Sequence, residues 1–283
     1  MKDIISILKK YFSEKDINKL VKSLEDKQRC DIINDYYFAK LGKNIDKLFF
    51  NNLVKEIRLY ENNKDNDFLP SYVDSFVSNN YCLIVLKKIN GKTLSNERNN
   101  YSTHLSHNKR LLIAIDILNI KNIKVNYKLD NDYSRKVKLD KYLEESKKYL
   151  STRTYLKINS LYNYLIKESK NTVISHGDLI PTNIIVDKKE VYFIDWEYIS
   201  LRPIYYDLTY FLMFSKAYHP LDILSELKVN NEEVYIDAII LSLKEIKNWS
   251  KLYNKIDNDI INKNIKRWKR ELNYILRKEY NND

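Results

Sequence analysis

Two short polar motifs in the second half of the chain carry residues that could perform phosphoryl-transfer chemistry. The first, HGDLIPTN at residues 176–183, places Asp178 and Asn183 five positions apart, and the second, IDWEY at residues 194–198, contains Asp195. A carboxylate can orient an attacking hydroxyl and accept its proton. Hard oxygen ligands from separate segments can hold Mg²⁺ against the phosphates of a nucleotide. An acid, an amide and a second acid in this order meet the requirements of metal-assisted phosphoryl transfer.

Short strands must position these polar residues. Apolar runs at residues 184–186 and 191–194 flank the turn 187–189, which predicts a β-hairpin that ends at Asp195. Such transfer is catalysed mostly by positioning and electrostatics, so a few oxygen donors on rigid strands suffice. Taken singly, each polar residue is also typical of a helix cap or a turn. Their order and their flanking strands together favour a site.

The first 90 residues predict a small antiparallel sheet with one main helix. An amphipathic helix comes first, because apolar residues between positions 4 and 12 follow helical spacing. The expected strands lie at residues 18–24, 30–34, 36–41, 72–77 and 81–86, and the expected helix at residues 46–60. We expect Gly42 to end the third strand. From about residue 105 onward, apart from the hairpin, the spacing predicts helices.

The composition indicates a globular protein rather than a fibrous, disordered or membrane-spanning one. Hydrophobic residues make up 44% of the 283 residues and charged residues 31%. No apolar run approaches the roughly 18 residues of a membrane span, so no membrane partner is expected. The two cysteines, Cys30 and Cys82, form no disulfide framework and favour a cytoplasmic location.

Glycine is scarce in this chain, which has only Gly42, Gly91 and Gly177. The scarcity excludes collagen, a glycine-rich linker and a glycine-rich dinucleotide-binding fingerprint. We expect each glycine to lie where the backbone turns sharply or approaches another group closely.

The net charge of +11 is compatible with a phosphate-bearing partner. The basic residues are spread along the chain and interleaved with acids, and the richest cluster, residues 263–270, falls on a predicted helix. A solvated basic surface is therefore favoured over a dedicated nucleic-acid groove.

HGDLIPTN together with IDWEY resembles the signature of the aminoglycoside phosphotransferase and choline kinase superfamily, which are small-molecule kinases. The resemblance implies an α+β, bilobal, protein-kinase-like fold. It implies a nucleotide-binding lobe at residues 1–88, with a small antiparallel sheet and one main helix. The larger, mostly helical lobe, residues 89–283, is then expected to hold the catalytic and substrate-binding groups. ATP and Mg²⁺ would be the cofactors, and the acceptor would be a hydroxyl of an amino alcohol, an aminoglycoside or a sugar.

The same resemblance implies roles for individual residues of the two motifs. Asp178 would be the catalytic base, and His176 would support its loop. Asn183 and Asp195 would be the Mg²⁺ ligands. Glu197 would assist a second metal or bind substrate, or would be a surface acid. Asp207, in the run YYDL, resembles a family acid of the same region, for which a structural role is favoured.

The N-terminal region offers partners for the nucleotide. Lys40 on the third predicted strand and Glu56 on the following helix resemble the family's ion pair, with Glu61 as the alternative acid. An edge-strand lysine kept for solubility is the alternative for Lys40. Residues 86–91 resemble the hinge whose backbone reads the adenine.

Val85, Leu86 and Lys87 are expected beside the nucleotide. The turn at residues 24–30 has no glycine, so the residues that cover the phosphates stay unnamed.

Substrate choice is less defined by the sequence. Aromatic residues of the C-terminal helices, with an acid among them, could form a box for a quaternary ammonium group, although aromatics at helical spacing are more typical of a core. These residues are Trp249, Tyr253, Trp268, Tyr274 and Glu271. Two other functions stay open: a catalytically silent nucleotide-binding protein of the same fold, and a basic nucleic-acid-binding protein.

Overall fold

The computed structural model describes residues 1–95, 105–131, 133–215 and 220–280. The chain divides into two compact units. The sheet unit comprises residues 1–103, 119–129 and 174–200, and the helical unit comprises residues 104–118, 130–173 and 201–283. The sheet unit includes residues 174–200, which contain the predicted polar hairpin. Because these units are not two continuous segments, they do not test the predicted lobe boundary at residue 88, which stays a prediction.

The described residues contain both helices and strands, which are numbered in chain order. In the first part of the chain they are α1 (Lys2–Leu8), α2 (Glu14–Glu25), β1 (Arg29–Ile33), β2 (Tyr37–Lys43), α3 (Lys47–Asn62), β3 (Tyr72–Val77), β4 (Tyr81–Lys87) and β5 (Lys92–Thr93). They continue with α4 (His107–Asn119), α5 (Arg135–Ser146), α6 (Thr152–Ser160), α7 (Tyr162–Leu165), β6 (Thr172–Ser175), β7 (Ile184–Asp187), β8 (Glu190–Phe193) and β9 (Ser200–Pro203). The last helices are α8 (Tyr206–Phe214), α9 (Leu224–Leu227), α10 (Asn231–Ser250) and α11 (Asn258–Tyr280).

A four-stranded antiparallel sheet in the order β1-β2-β4-β3 organises the sheet unit. Ala39 and Leu41 of β2 pack into a core cluster with residues of α1 and α2. Successive side chains of a strand point to opposite faces. Lys40, which lies between them, therefore points to the other face of the sheet. A second sheet, in the order β5-β7-β8, contains the predicted polar hairpin, which is confirmed.

The prediction of an extended segment at residues 18–24 is wrong, because these residues belong to helix α2. Ser13 caps this helix by accepting a hydrogen bond from the Asp16 backbone N–H. Ile17, Leu20 and Leu24 are buried at helical spacing and join the core cluster. The spacing of the apolar residues was compatible with either a strand or a helix. Packing of these residues against the sheet favours the helix. The sheet unit consequently has α1 and α2 in addition to the predicted main helix, α3.

The prediction that Gly42 ends its strand is also wrong, because Gly42 lies within β2. A Cβ atom at this position would lie 2.5 Å from Leu53 Cδ2 of α3 and 3.0 Å from Cys82 Sγ of β4. At Gly91 a Cβ atom would lie 2.4 Å from the Val186 carbonyl oxygen. The prediction that glycines mark close approaches is confirmed at both positions.

The helical unit buries two residues of the possible aromatic box. Trp249 and Trp268 are 2% and 0% exposed, and Trp268 packs edge-on against Phe214. Glu271 is buried and accepts hydrogen bonds from Arg270. A core role is therefore confirmed for the two tryptophans. Within the described residues, every helix is either too short or too polar to cross a bilayer.

Candidate active site

The loop after β6 carries His176 and Asp178. Gly177 has φ 84°, in the left-handed region that favours glycine, so the chain can turn sharply beside Asp178. His176 Nδ1 accepts a 3.3 Å hydrogen bond from the Asp178 backbone N–H, and Nε2 donates to the Ile194 carbonyl at 2.8 Å. Because Nδ1 accepts and Nε2 donates, this pattern requires the neutral imidazole. The ring links the loop to the end of the hairpin, which suits the expected supporting role.

Asn183 is held by the same loop and hairpin. Its Nδ2 donates to the Asp178 carbonyl at 2.9 Å, and its own backbone carbonyl accepts from the Ile194 N–H at 3.0 Å. The Oδ1 atom accepts from the Thr182 hydroxyl at 3.3 Å. An amide oxygen has two lone pairs, so Oδ1 can also serve as a ligand. Asp178 and Asn183 are both buried.

Lys40 lies at the centre of a cluster of carboxylates. Its Nζ is 2.7 Å from Glu56 Oε2 and 2.8 Å from Asp195 Oδ1. Glu197 Oε1 lies 3.3 Å from the same nitrogen. The predicted Lys40–Glu56 ion pair is therefore formed, whereas the alternative acid, Glu61, accepts a hydrogen bond from Ser75 instead.

The structure rejects two of the open alternatives for these residues. Lys40 is 4% exposed on β2, which lies between β1 and β4, so it is not an edge-strand lysine kept for solubility. Glu197 is 5% exposed, so it is not a surface acid.

Arg29, the first residue of β1, is a site residue that the sequence did not single out. Its Nη1 donates to Glu197 and lies 3.7 Å from Asp195 Oδ1. Its Nε lies 3.7 Å from Asp31 Oδ1. The alternation of Arg29 and Asp31 around buried Cys30 was a signal that could have placed both charged side chains on one face of a strand.

The charges of this cluster support one another. Burial raises the pKa of Asp195, but the positive charges of Lys40 and Arg29 lower it by more. The pKa therefore lies below its ordinary value, and the carboxylate is ionised. Burial lowers the pKa of Lys40, but Glu56 and Asp195 raise it more, so the pKa lies above its ordinary value and the ammonium is retained. Asp195 and Lys40 are therefore both charged at neutral pH, whereas burial raises the pKa of Glu56 above its ordinary value.

Three carboxylates lie close enough together to offer oxygens to a hard cation, and the Lys40 ammonium already contacts all three. Glu56, Asp195 and Glu197 each offer a carboxylate oxygen, and these three oxygens lie within 4.8 Å of one another. Three carboxylates face only two cations, Lys40 and Arg29, so the cluster has an excess of negative charge. An all-oxygen set with excess negative charge is typical of Mg²⁺ rather than of softer metals.

Asp195 adopts an unusual backbone conformation at the end of the hairpin. Its φ of 67° and ψ of 57° place a non-glycine residue in the left-handed region, which costs about 1–3 kcal/mol at strained sites. The next residue, Trp196, donates its backbone N–H to Glu56 Oε1 at 3.3 Å. The turn thus aims Asp195 at Lys40 and ties the hairpin to α3.

A cavity of about 350 Å³ adjoins this cluster, which is within the range of small-molecule sites. Its charged and polar walls include Arg29, Lys40, Glu56, Asn183 and Asp195. Its apolar walls include Phe38, Pro70, Leu86, Ile89, Ile185 and Ile194. The cavity therefore has a charged wall and an apolar wall, and the apolar wall suits a flat ring. Asp178 is not one of its lining residues.

The predicted hinge residues divide between this cavity and the core. Leu86 and Lys87 line the cavity, whereas Val85 packs into the core cluster on the other face of the sheet. The Lys87 backbone N–H donates to the Ser71 carbonyl at 2.8 Å, and the Lys88 N–H donates to the Tyr36 carbonyl at 2.8 Å. These two backbone donors are satisfied within the chain.

Known proteins resemble this chain in sequence and fold. Residues 118–226 match the model of the phosphotransferase enzyme family. A protein named "Protein LicA homolog" from Mycoplasma capricolum subsp. capricolum is 30% identical over 155 residues, which cover 54% of this chain and 58% of that protein. The match therefore spans less than two thirds of that relative's length.

Two solved structures have the same fold. A choline/ethanolamine kinase family protein from Mesorhizobium loti has a TM-score of 0.61 at 14% identity, covering 88% of each chain. Aminoglycoside phosphotransferase APH(4)-Ia, solved with ADP and hygromycin B, has a TM-score of 0.57 at 9% identity, covering 93% of this chain and 98% of that chain. The predicted resemblance and the predicted protein-kinase-like α+β fold are confirmed.

Proposed function

We propose that this protein is an ATP- and Mg²⁺-dependent kinase that transfers the γ-phosphate to a hydroxyl of a small molecule. The observation that carries the proposal is the convergence of Lys40, Glu56 and Asp195 beside one cavity, although Lys40 and Asp195 are 155 residues apart in sequence. A cation oriented by a helical carboxylate, next to a metal-binding acid, is the arrangement that phosphoryl transfer uses.

The site residues have three separate roles in this proposal: binding the nucleotide, holding the metal and accepting a proton. Lys40, held by Glu56, binds phosphate oxygens of the nucleotide. Asp195 and Asn183 hold Mg²⁺, and Glu197 supplies a further oxygen. When bound, Mg²⁺ neutralises charge on the phosphoryl oxygens. Asp178 accepts the proton of the attacking hydroxyl, and a general base of this kind contributes about 10²–10⁴-fold in rate.

Arg29 takes the place of a glycine-rich cover over the phosphates. The turn between the first two strands was predicted at residues 24–30, but in the structure it lies between β1 and β2 at residues 34–36, because residues 18–24 are helical. This turn also lacks glycine, and Arg29 is the first residue of β1. A guanidinium presents several N–H donors in a rigid fork that matches phosphate oxygens. We assign Arg29 as the second cation that binds the nucleotide phosphates.

The acceptor is a small molecule with a free hydroxyl, for which amino alcohols, aminoglycosides and sugars are the candidates. The similar structures bear names of both choline/ethanolamine kinases and aminoglycoside phosphotransferases, which keeps both acceptor classes in the screen. A cytoplasmic location is also proposed, since ATP is abundant there and Cys30 and Cys82 are both free thiols.

A coupled ADP-release screen against the three acceptor classes tests the proposal. We expect at least one acceptor to stimulate ADP release in the presence of Mg²⁺. Asp178→Asn should lower kcat by about 10²–10⁴-fold while ATP still binds, because the base is lost and the phosphate contacts remain. Retained turnover would remove Asp178 as the base. ATP binding without any stimulated turnover would favour a silent nucleotide-binding protein.

A further inference from the structure

Tyr60 presents a buried hydroxyl that has no hydrogen-bond partner within the described residues. Tyr60 lies on α3 one helical turn after Glu56, is 1% exposed and lines the 350 Å³ cavity. Buried tyrosine hydroxyls usually find a partner. Leaving a buried hydroxyl unsatisfied costs free energy, so a partner supplied from the cavity would be favoured.

The hydroxyl keeps its proton in this environment. Burial raises the pKa of Tyr60 well above its ordinary value, and the negative charges of Glu56 and Asp195 raise it further. Tyr60 is thus available as a neutral group that can donate one hydrogen bond and accept another.

The Tyr60 hydroxyl offers a hydrogen-bond partner to the base of a nucleotide in this cavity. Two backbone donors of the hinge, the N–H groups of Lys87 and Lys88, already donate to carbonyls of Ser71 and Tyr36. Apolar walls that include Phe38 suit the faces of a purine ring but leave its polar edge to be recognised. Phosphates are matched instead by the cations of the adjacent charged cluster.

We propose that the Tyr60 hydroxyl hydrogen-bonds to the polar edge of the purine base and so contributes to recognition of the nucleotide. The inference rests on the proposed function, because it takes a purine nucleoside triphosphate as the occupant of the cavity. It adds a side chain of α3 to a recognition surface that the family resemblance assigns to the hinge backbone.

Substitution Tyr60→Phe tests this role by removing one oxygen atom. We expect the dissociation constant for ATP, measured by isothermal titration calorimetry, to rise about fivefold, as for loss of one neutral hydrogen bond. The melting temperature without nucleotide should stay the same or rise, since an unsatisfied buried hydroxyl is removed. An unchanged dissociation constant for ATP would overturn the inference.

Tyr127→Phe is a matched control. The Tyr127 hydroxyl donates to the Lys55 carbonyl of the same helix at 2.8 Å, so this hydroxyl is satisfied within the chain. We expect Tyr127→Phe to lower the melting temperature and to leave ATP affinity unchanged. If both substitutions lower the melting temperature and weaken ATP binding alike, Tyr60 acts only through folding and the inference fails.

Base analogues identify the interaction itself. The analogues are 7-deaza-ATP, which lacks the ring nitrogen N7, and purine riboside triphosphate, which lacks the 6-amino group. The wild-type protein should bind at least one of them several-fold more weakly than ATP, and Tyr60→Phe should lose that preference. Equal preference in both proteins would overturn the inference while leaving the proposed kinase function intact. Failure of the wild-type protein to bind any nucleotide would instead overturn the proposed function.

Discussion

Each unit buries a cluster of cations and carboxylates, and the two clusters differ in whether their charges are enclosed. The Arg135 cluster of the helical unit comprises Arg135, Glu233 and Asp237, and the Lys40 cluster of the sheet unit comprises Lys40, Arg29, Glu56, Asp195 and Glu197. Arg135 is 1% exposed. Its Nε donates to Asp237 at 2.9 Å, Nη1 to the Lys167 carbonyl at 3.0 Å, and Nη2 to Glu233 at 2.5 Å.

The Lys40 cluster is open by comparison. The Asp195 side chain is 35% exposed and lines the cavity. Both clusters have one more carboxylate than cations, so exposure rather than charge balance separates them. A buried ion pair whose hydrogen bonds are all made within the chain, such as Arg135 with Asp237, can have a purely structural role. A cluster that opens onto a cavity has room for a further cation and for phosphates. The difference agrees with a structural role for the Arg135 cluster and with the binding role proposed for the Lys40 cluster.

Arg135→Met should produce the largest effect, and on stability only. The substitution leaves Asp237 buried without its cation, which costs about 3–5 kcal/mol of unfolding free energy. The double variant Arg135→Met/Asp237→Leu should recover most of the loss, because an apolar pair can replace a buried ion pair. Urea denaturation followed by circular dichroism measures both effects. A double variant as unstable as the single one would contradict the structural role.

The corresponding change in the Lys40 cluster should separate stability from activity. Lys40→Met should lower kcat/KM for phosphate transfer by about 10²–10³-fold, because a charge-stabilising donor is lost. Adding Glu56→Leu removes the uncompensated carboxylate and should restore part of the unfolding free energy without restoring transfer. Steady-state kinetics and denaturation of the same samples provide the measurement. Recovery of transfer in the double variant would show that the pair is only structural.

Arg29→Gln should have the smallest effect of the three. The Arg29 side chain is 31% exposed, so its loss should change the melting temperature little. Loss of the proposed contact with the phosphates should raise the dissociation constant for ATP about tenfold, or about 1.4 kcal/mol.

Arg29→Lys should give an intermediate result for ATP affinity, because it keeps the charge and loses the fork. If Arg29→Gln binds ATP as tightly as the wild-type protein does, Arg29 does not bind the phosphates and only neutralises Glu197.

Secondary structure was predictable where the residues that stabilise an element lie within the same short segment. The helix α3 and the β7–β8 hairpin form as expected, with α3 capped by Asp46. The segment at residues 18–24 was not predictable in this way, since its apolar residues suit either a strand or a helix and only burial against the sheet decides between them.

By itself, the sequence determined the polar loop and hairpin that carry Asp178, Asn183 and Asp195, and the resemblance added the pairing of Lys40 with Glu56. Neighbouring residues and short turns specify such features through local hydrogen bonds and side-chain periodicity.

Only the tertiary structure brought Arg29 to Glu197, 168 residues away, and left the Tyr60 hydroxyl unsatisfied beside the cavity. Charge pairing and burial across such separations depend on how strands and helices pack, and no local pattern encodes that packing.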